Sequence, residues 1–211
     1  MIMDNHEITW YMQEIAMHGL GAKIQFIKFI QCLENEETRQ TRIVWSYLSS
    51  FLSHAAMISK FASPIYPSGI KKSRMEALRS ILDISQDSEV LPRTARDNLE
   101  HFDERLDNWV GTKTGYLEIV FPDKATAIRS MHNGMRIKRV LALKELTFFS
   151  ENRDGSRFAL ELEPLFEEVN RISNKAVEWL ESSSPYMFIF PSDDPETIEQ
   201  KSLEHRRQLE E

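Results

Sequence analysis

Cysteine, glycine and proline are scarce in this 211-residue sequence, which contains one, seven and eight of them. The lone Cys32 cannot form an internal disulfide, which favours a reducing compartment, and we expect a cytoplasmic protein. So little glycine and proline excludes a collagen-like or low-complexity architecture. No apolar run reaches the roughly 18–20 residues that span a bilayer. Residues 1–7 contain Asp4 and Glu7 but no lysine or arginine, so we expect neither a secretory signal nor membrane association.

Motifs for nucleotide and metal binding are also missing. The sequence contains no Walker loop, no GxGxxG and no HExxH, so we expect no cofactor and no bound metal. Three histidines lie in weakly patterned segments: His6, His132 and His205. His18 and His54 lie inside helical patterns, and we interpret them as residues at the edge of the core rather than ligands. The sequence shows no pattern that pairs Cys32 with a histidine, so we expect this cysteine to be buried and inert.

The charge balance is acidic, with 26 Lys and Arg against 33 Asp and Glu, a net charge of −7. A protein that holds nucleic acid through a broad surface has a basic stripe, so this balance argues against such a function. It leaves room for an enzyme that contacts RNA briefly through a few local arginines.

Helical periodicity dominates the sequence. The first pattern runs from Trp10 to Leu33, although Gly19 and Gly21 interrupt it and its clear part begins near Ala22. Further helices are expected around Val44–Ile58, Met75–Leu82, Pro92–Gly111 and Pro164–Leu180. The helix after Pro92 has the clearest apolar seam, with spacings of 4, 3, 4 and 3 residues. The seam consists of Ala95, Leu99, Phe102, Leu106 and Trp109.

Strand-forming residues appear after Gly111. Tyr116–Phe121 reads as a strand, and Leu146–Phe149 and Phe158–Leu162 flank the hairpin signal Asp154-Gly155. The segment Ala125–Leu143 has no clear assignment. We therefore expect a mainly α fold: an antiparallel bundle of four to five helices with a small β-hairpin insertion at about 115–162. One domain would cover residues 1–185, followed by a charged tail at 186–211.

One polar pattern on the fourth predicted helix has the composition of a catalytic site. Arg96 and His101 are separated by about 140° around the helix and flank its polar face. Asp97 lies one turn before His101, a spacing at which a carboxylate can contact an imidazole and raise its pKa. Histidine can move a proton at neutral pH, and a guanidinium can neutralise charge on a phosphate. These groups could cleave RNA without a metal, provided that a two-fold dimer apposes two such faces.

The segment Arg96-Asp97-Asn98-Leu99-Glu100-His101 resembles the signature of the HEPN (higher eukaryotes and prokaryotes nucleotide-binding) superfamily, and the layout is similar to that of uncharacterised bacterial HEPN-like proteins with a β-hairpin. The resemblance implies a dimeric, metal-independent endoribonuclease, a toxin or antiviral effector in many active members. It implies catalytic roles for Arg96 and His101 and an assisting role for Asp97. The further residues expected to contact RNA are Arg93, Asn98 and Arg105. RNA, a second copy of the chain, and an antitoxin or regulatory protein are the expected partners.

Two features leave alternatives open. Asp97 stands where asparagine is more common in the superfamily, and Glu100 and Glu104 would repel phosphate. Some relatives have lost catalysis, so a non-catalytic dimeric interaction or RNA/nucleotide-binding module is the alternative function. The same charges could also form an ordinary solvated helix face, in which Arg96 pairs with Glu100 at a spacing worth only about 0.3–0.5 kcal/mol.

Overall fold

The computed structural model describes residues 3–39, 41–92, 106–107, 115–132, 137–152 and 154–185. Within these residues the chain is mainly helical and carries a small four-stranded sheet. The helices are α1 (Asn5–Glu34), α2 (Arg42–Ala62), α3 (Gly69–Ile81), α4 (Lys124–His132) and α5 (Leu162–Ser183). The strands are β1 (Tyr116–Phe121), β2 (Ile137–Ala142), β3 (Thr147–Glu151) and β4 (Arg157–Glu161).

Helix α1 begins with a capping box. The Asp4 carboxylate accepts a hydrogen bond from the backbone N–H of Glu7 at 2.9 Å, and the Glu7 carboxylate accepts from the backbone N–H of Asp4 at 3.1 Å. This pair satisfies two N–H groups that a helix start leaves without partners. The prediction that the clear part of this helix starts near Ala22 placed its beginning too late. Gly19 and Gly21 lie inside the helix and do not interrupt it.

Helix α1 packs between α2 and α5. Three aromatic side chains, one from each of these helices, pack against one another where the helices meet. Phe26 of α1 stacks on Phe166 of α5 with ring centroids 4.2 Å apart, and it lies 5.0 Å from Phe51 of α2. Phe51 is fully buried, and Phe26 is nearly so. Aromatic residues thus bury a large area where the three helices meet.

Helix α3 is attached to the end of α2 by two arginines. Arg79 donates from Nε to the carbonyl oxygen of Ala62 at 2.8 Å, and Arg74 donates to the carbonyl oxygens of Phe61 and Lys60, each at 3.3 Å. The last carbonyls of a helix have no partner within the helix, so these side chains cap α2 from outside.

The β region is larger than the predicted hairpin. The hairpin around Asp154-Gly155 is confirmed as β3 and β4, but it belongs to a mixed sheet of order β1-β2-β3-β4. Strands β1 and β2 are parallel, and the other pairs are antiparallel. The expectation of a lone hairpin insertion is therefore wrong. The segment Ala125–Leu143, which had no assignment, supplies most of α4 and all of β2.

Both faces of the sheet are covered. One row of cross-strand neighbours joins the core of the helical layer, and it consists of Val120, Leu141, Phe148 and Leu160. The next row lies under α4 and includes Ile119, Val140 and Phe149. Because adjacent residues of a strand point to opposite faces, the sheet separates α4 from the helical layer.

Two predicted segments fall largely outside the described residues. Of the predicted helix Pro92–Gly111, only Pro92, Leu106 and Asp107 are described, and Leu106 and Asp107 are helical. The tail at 186–211 is not among the described residues, and the single domain over 1–185 stays a prediction. Among the helices that are described, none combines the length and apolar composition needed to cross a bilayer.

Candidate functional site

The predicted site lies outside the described residues. This holds for the proposed catalytic residues Arg96, Asp97 and His101 and for the proposed RNA contacts Arg93, Asn98 and Arg105. The helix face and the roles predicted for these residues therefore stay predictions. The structure does describe the chain up to Pro92, which directly precedes residues 93–105, the motif segment that contains all of these predicted site residues.

The residues that lead to the motif segment are held against α5. Leu82, Ile84 and Val90 are buried in the core. Arg171 of α5 donates to the carbonyl oxygens of Leu82 at 3.0 Å and Asp83 at 3.1 Å. The segment between α3 and Pro92 therefore combines apolar anchors with hydrogen bonds to the main chain.

Glu168 of α5 is at the centre of a charged hydrogen-bond network. It accepts two hydrogen bonds from Arg171, at 2.7 and 2.9 Å, and one from the Ser88 hydroxyl. Burial of the carboxylate acts to raise the pKa of Glu168, but the bonds from Arg171 and Ser88 outweigh it, so this pKa lies below its ordinary value. The hydrogen bond to Glu168 raises the pKa of Arg171 in turn. This forked ion pair fixes the loop on α5.

An open groove of about 620 Å³ lies beside this network. Exposed carboxylates of Asp83, Asp87, Glu89 and Glu167 line it, together with Lys175, which is 3.3 Å from Asp83. Such a surface attracts cations or basic side chains and repels phosphate. The groove therefore differs in charge from the RNA-contacting surface that the motif predicts.

A second polar cluster connects the sheet to α2. Arg139 of β2 pairs with Glu118 of β1, approaches the Ser49 hydroxyl at 3.5 Å and lies 5.9 Å from the Trp45 ring centroid. Burial acts to lower the pKa of Arg139, and the Glu118 carboxylate opposes this. Because arginine stays protonated in any case, the cluster is a fixed ion pair rather than a proton-transfer site.

His18 of α1 and His54 of α2 are in direct contact, with their Nδ1 atoms 3.0 Å apart. The sequence interpretation of both as edge residues agrees with their partial burial but missed this contact. The two residues are 36 positions apart, and no motif spacing relates them. Only the packing of α1 on α2 brings them together.

The remaining candidate ligands do not converge within the described part of the chain. His6 and His132 are exposed, and no group of three or more His, Cys, Asp or Glu side chains there could hold a metal ion. Cys32 is only partly buried and packs against the core, so the expectation that it is buried is met in part.

No protein-family model, curated protein or solved structure matches this chain. The resemblance to the HEPN superfamily therefore rests on the motif residues themselves.

Proposed function

We propose that the chain is a metal-independent endoribonuclease of the HEPN type that acts as a homodimer. The observation that carries the proposal is the spacing of Arg96 and His101 on a predicted helix whose other side is an apolar seam. A mainly helical fold is compatible with it. The short connection between α1 and α2, residues 35–41, favours the antiparallel bundle that we expect for the helices.

In the proposed mechanism, His101 of one subunit takes the proton from the ribose 2′-hydroxyl. The 2′-oxygen forms a bond to phosphorus while the bond from phosphorus to the 5′-oxygen breaks, and His101 of the partner subunit donates a proton to that leaving oxygen. Arg96 neutralises the charge that develops on the phosphate oxygens, and Asp97 positions the imidazole. The products are a 2′,3′-cyclic phosphate and a 5′-hydroxyl end.

Replacing His101 tests this mechanism most directly. We expect His101→Ala to lower the rate of RNA cleavage by about 100-fold or more, the usual contribution of a general acid or base. The assay uses single-stranded RNA in the presence of EDTA, with end analysis for the cyclic phosphate. His132→Ala is the matched control, because His132 is exposed on α4 and far from the motif in sequence. Equal cleavage by the His101 variant, or cleavage only with added divalent metal, contradicts the mechanism.

The acidic groove beside the Glu168 network favours a second candidate, a non-catalytic dimeric module that binds another protein. Asp83, Asp87, Glu89 and Glu167 would suit a basic partner surface better than RNA. An intact dimer without any cleavage of RNA would support this candidate, whereas cleavage that disappears in Arg96→Ala would remove it. An antitoxin or regulatory protein is the partner expected under either function.

A further inference from the structure

The contact between His18 and His54 has the geometry of a single hydrogen bond between two imidazoles. The two Nδ1 atoms are 3.0 Å apart, and the ring centroids are 5.3 Å apart with the planes tilted by 54°. The centroid separation exceeds the nitrogen separation by close to two imidazole radii. Both nitrogens therefore lie near the line that joins the ring centres, and each ring directs its Nδ1 at the other.

This geometry requires one proton between the rings and leaves no room for a metal. An ion between two nitrogens on this line would need them about 4 Å apart, because Zn–N bonds are about 2.0–2.1 Å long. At 3.0 Å, one Nδ1 carries a hydrogen and donates, and the other accepts through its lone pair.

Two neighbours on α1 define the surroundings of the pair. The Glu14 carboxylate lies 3.8 Å from Nε2 of His18, on the side of the ring away from His54. Gly21 lies against the His54 ring, where a Cβ atom would come within 2.6 Å of Nε2 and 2.7 Å of Nδ1. Among the described residues, Glu14 is the charged side chain that acts on the pair, and each histidine is the other's titratable neighbour.

Glu14 determines which ring donates in the neutral pair. A carboxylate favours a hydrogen on the nitrogen that faces it, so His18 carries its hydrogen on Nε2 and leaves Nδ1 as the acceptor. His54 must then carry its hydrogen on Nδ1, which leaves its Nε2 unprotonated. This nitrogen is where a further proton would arrive.

We propose that His18 and His54 form a site that binds one additional proton as a unit and whose second protonation separates α1 from α2 locally. When a proton joins Nε2 of His54, the bridging proton shifts to Nδ1 of His18, and the positive charge then lies on His18 beside Glu14. The hydrogen bond between the rings survives with its direction reversed. A second proton would place two N–H groups in opposition at 3.0 Å and abolish the bond.

The pKa values of both histidines agree with this order. Burial lowers the pKa of His18, and Glu14 opposes that effect; burial lowers the pKa of His54, and the charge of His18 lowers it further. Since both lie below the ordinary value of 6.5, the unfolded chain binds more protons than the folded chain. Stability from this pair is therefore complete above pH 6.5 and is lost as the pH falls through the lowered values.

Nitrogen-detected NMR of the full wild-type chain tests the proposal without any substitution. At neutral pH we expect His18 to be the Nε2–H tautomer and His54 to be the Nδ1–H tautomer, with coupled signals that titrate in two steps. The first step adds a hydrogen to Nδ1 of His18 and converts His54 to its Nε2–H tautomer, so it moves the nitrogen signals of both rings, and the second step lies below pH 6.5. Independent titration of both rings in a single ordinary step, or the same tautomer in both, would overturn the proposal.

Variants test the consequence for the helix pair. The unfolding temperature of His54→Gln and His18→Gln should depend less on pH between about 7.5 and 5 than that of the wild type, whereas the exposed control His132→Gln should keep the wild-type profile. A double-mutant cycle of His18 and His54 should give a favourable coupling at pH 7.5 that disappears at low pH. Wild-type pH dependence in His54→Gln would contradict the proposal. If neither variant folds, the wild-type titration decides alone.

Discussion

Each of the two flanks of α1 places a glycine against a neighbouring helix. On one flank, Gly19 lies against Ser173 of α5; on the other, Gly21 lies against the His54 ring of α2. Residues two positions apart on a helix point in widely different directions, so each glycine serves a different partner helix. In both places the absence of a side chain lets another element approach closely.

The two flanks differ in the atoms that a side chain in place of each glycine would contact. A Cβ atom at position 19 would overlap the Cβ and Oγ atoms of Ser173 and come within 3.3 Å of its Cα. Rotation of the serine side chain moves only Oγ, because the Cβ atom is bonded directly to the backbone of α5 and keeps its place. At position 21 the obstacle is the imidazole at the far end of the His54 side chain, which can swing aside. The flank toward α5 is therefore rigid, and the flank toward α2 is adjustable.

The largest expected effect is that of Gly19→Ala. The added methyl group forces α1 and α5 apart at a cost of about 3 kcal/mol, the upper end of the usual range for overpacking, and the gain of about 1 kcal/mol in helix propensity leaves an expected net loss of about 2 kcal/mol in the free energy of unfolding. The measurement is chemical unfolding followed by circular dichroism.

A double variant sharpens this result. Ser173→Gly removes the two atoms that the new methyl group would overlap, so Gly19→Ala with Ser173→Gly should be more stable than Gly19→Ala alone. Failure of this rescue would mean that Gly19 matters for a reason other than its contact with α5.

A smaller effect is expected from Gly21→Ala. Displacing the His54 ring costs contacts, but alanine improves helix propensity by about 1 kcal/mol over glycine, so the net loss should be about 1 kcal/mol. The His54 pKa should move toward its ordinary value because the ring becomes more exposed and loses its His18 partner. NMR titration measures this shift. A loss as large as that of Gly19→Ala would show that the flank toward α2 is equally rigid.

The smallest effect is expected from Ser173→Ala. The Ser173 hydroxyl donates to the carbonyl oxygen of Ala16 across a long 3.4 Å, so its removal should change the free energy of unfolding by about 0.5 kcal/mol. Ser182→Ala, an exposed serine of the same helix, is the control. A loss above 2 kcal/mol would mean that polar bonding, and not close approach alone, holds α1 on α5.

The glycines also show where sequence reasoning about the helices succeeded and where it failed. The repeating apolar residues of α2 and α5 predicted both helices, because each buries one continuous stripe that includes Leu48 and Val169. The same logic misread Gly19 and Gly21 as breaks in α1. A glycine lowers helix propensity in any context, and only the neighbouring helices reveal that close contact compensates for it.

Strand β2 could not be recognised because two charged residues lie near its start. Lys138 and Arg139 interrupt the apolar pattern of Ile137–Ala142, although both side chains are mostly enclosed. Lys138 lies 3.7 Å from Glu151, and Arg139 pairs with Glu118. These partners come from neighbouring strands, so the pattern makes sense only once the sheet has formed.

The candidate site differs from β2, because local spacing alone was enough to predict it. Local spacing was enough to suggest chemistry for Arg96 and His101, but the roles proposed for them depend on how two copies of the chain would meet in the proposed dimer. A contact such as that of His18 with His54 has no local signal at all. Motif spacing along a helix is visible in one sequence, whereas a pair made by two packed helices is not.

Arg171 of α5 also holds the segment that follows α3. Its guanidinium joins the Glu168 carboxylate to the main chain at Leu82 and Asp83. These hydrogen bonds hold the segment that leads to Pro92 against α5. A change that removes these hydrogen bonds would loosen the last described residues before the segment that contains Arg96 and His101. Under the proposed function, we therefore expect Arg171→Ala to lower RNA cleavage although Arg171 is not among the proposed site residues.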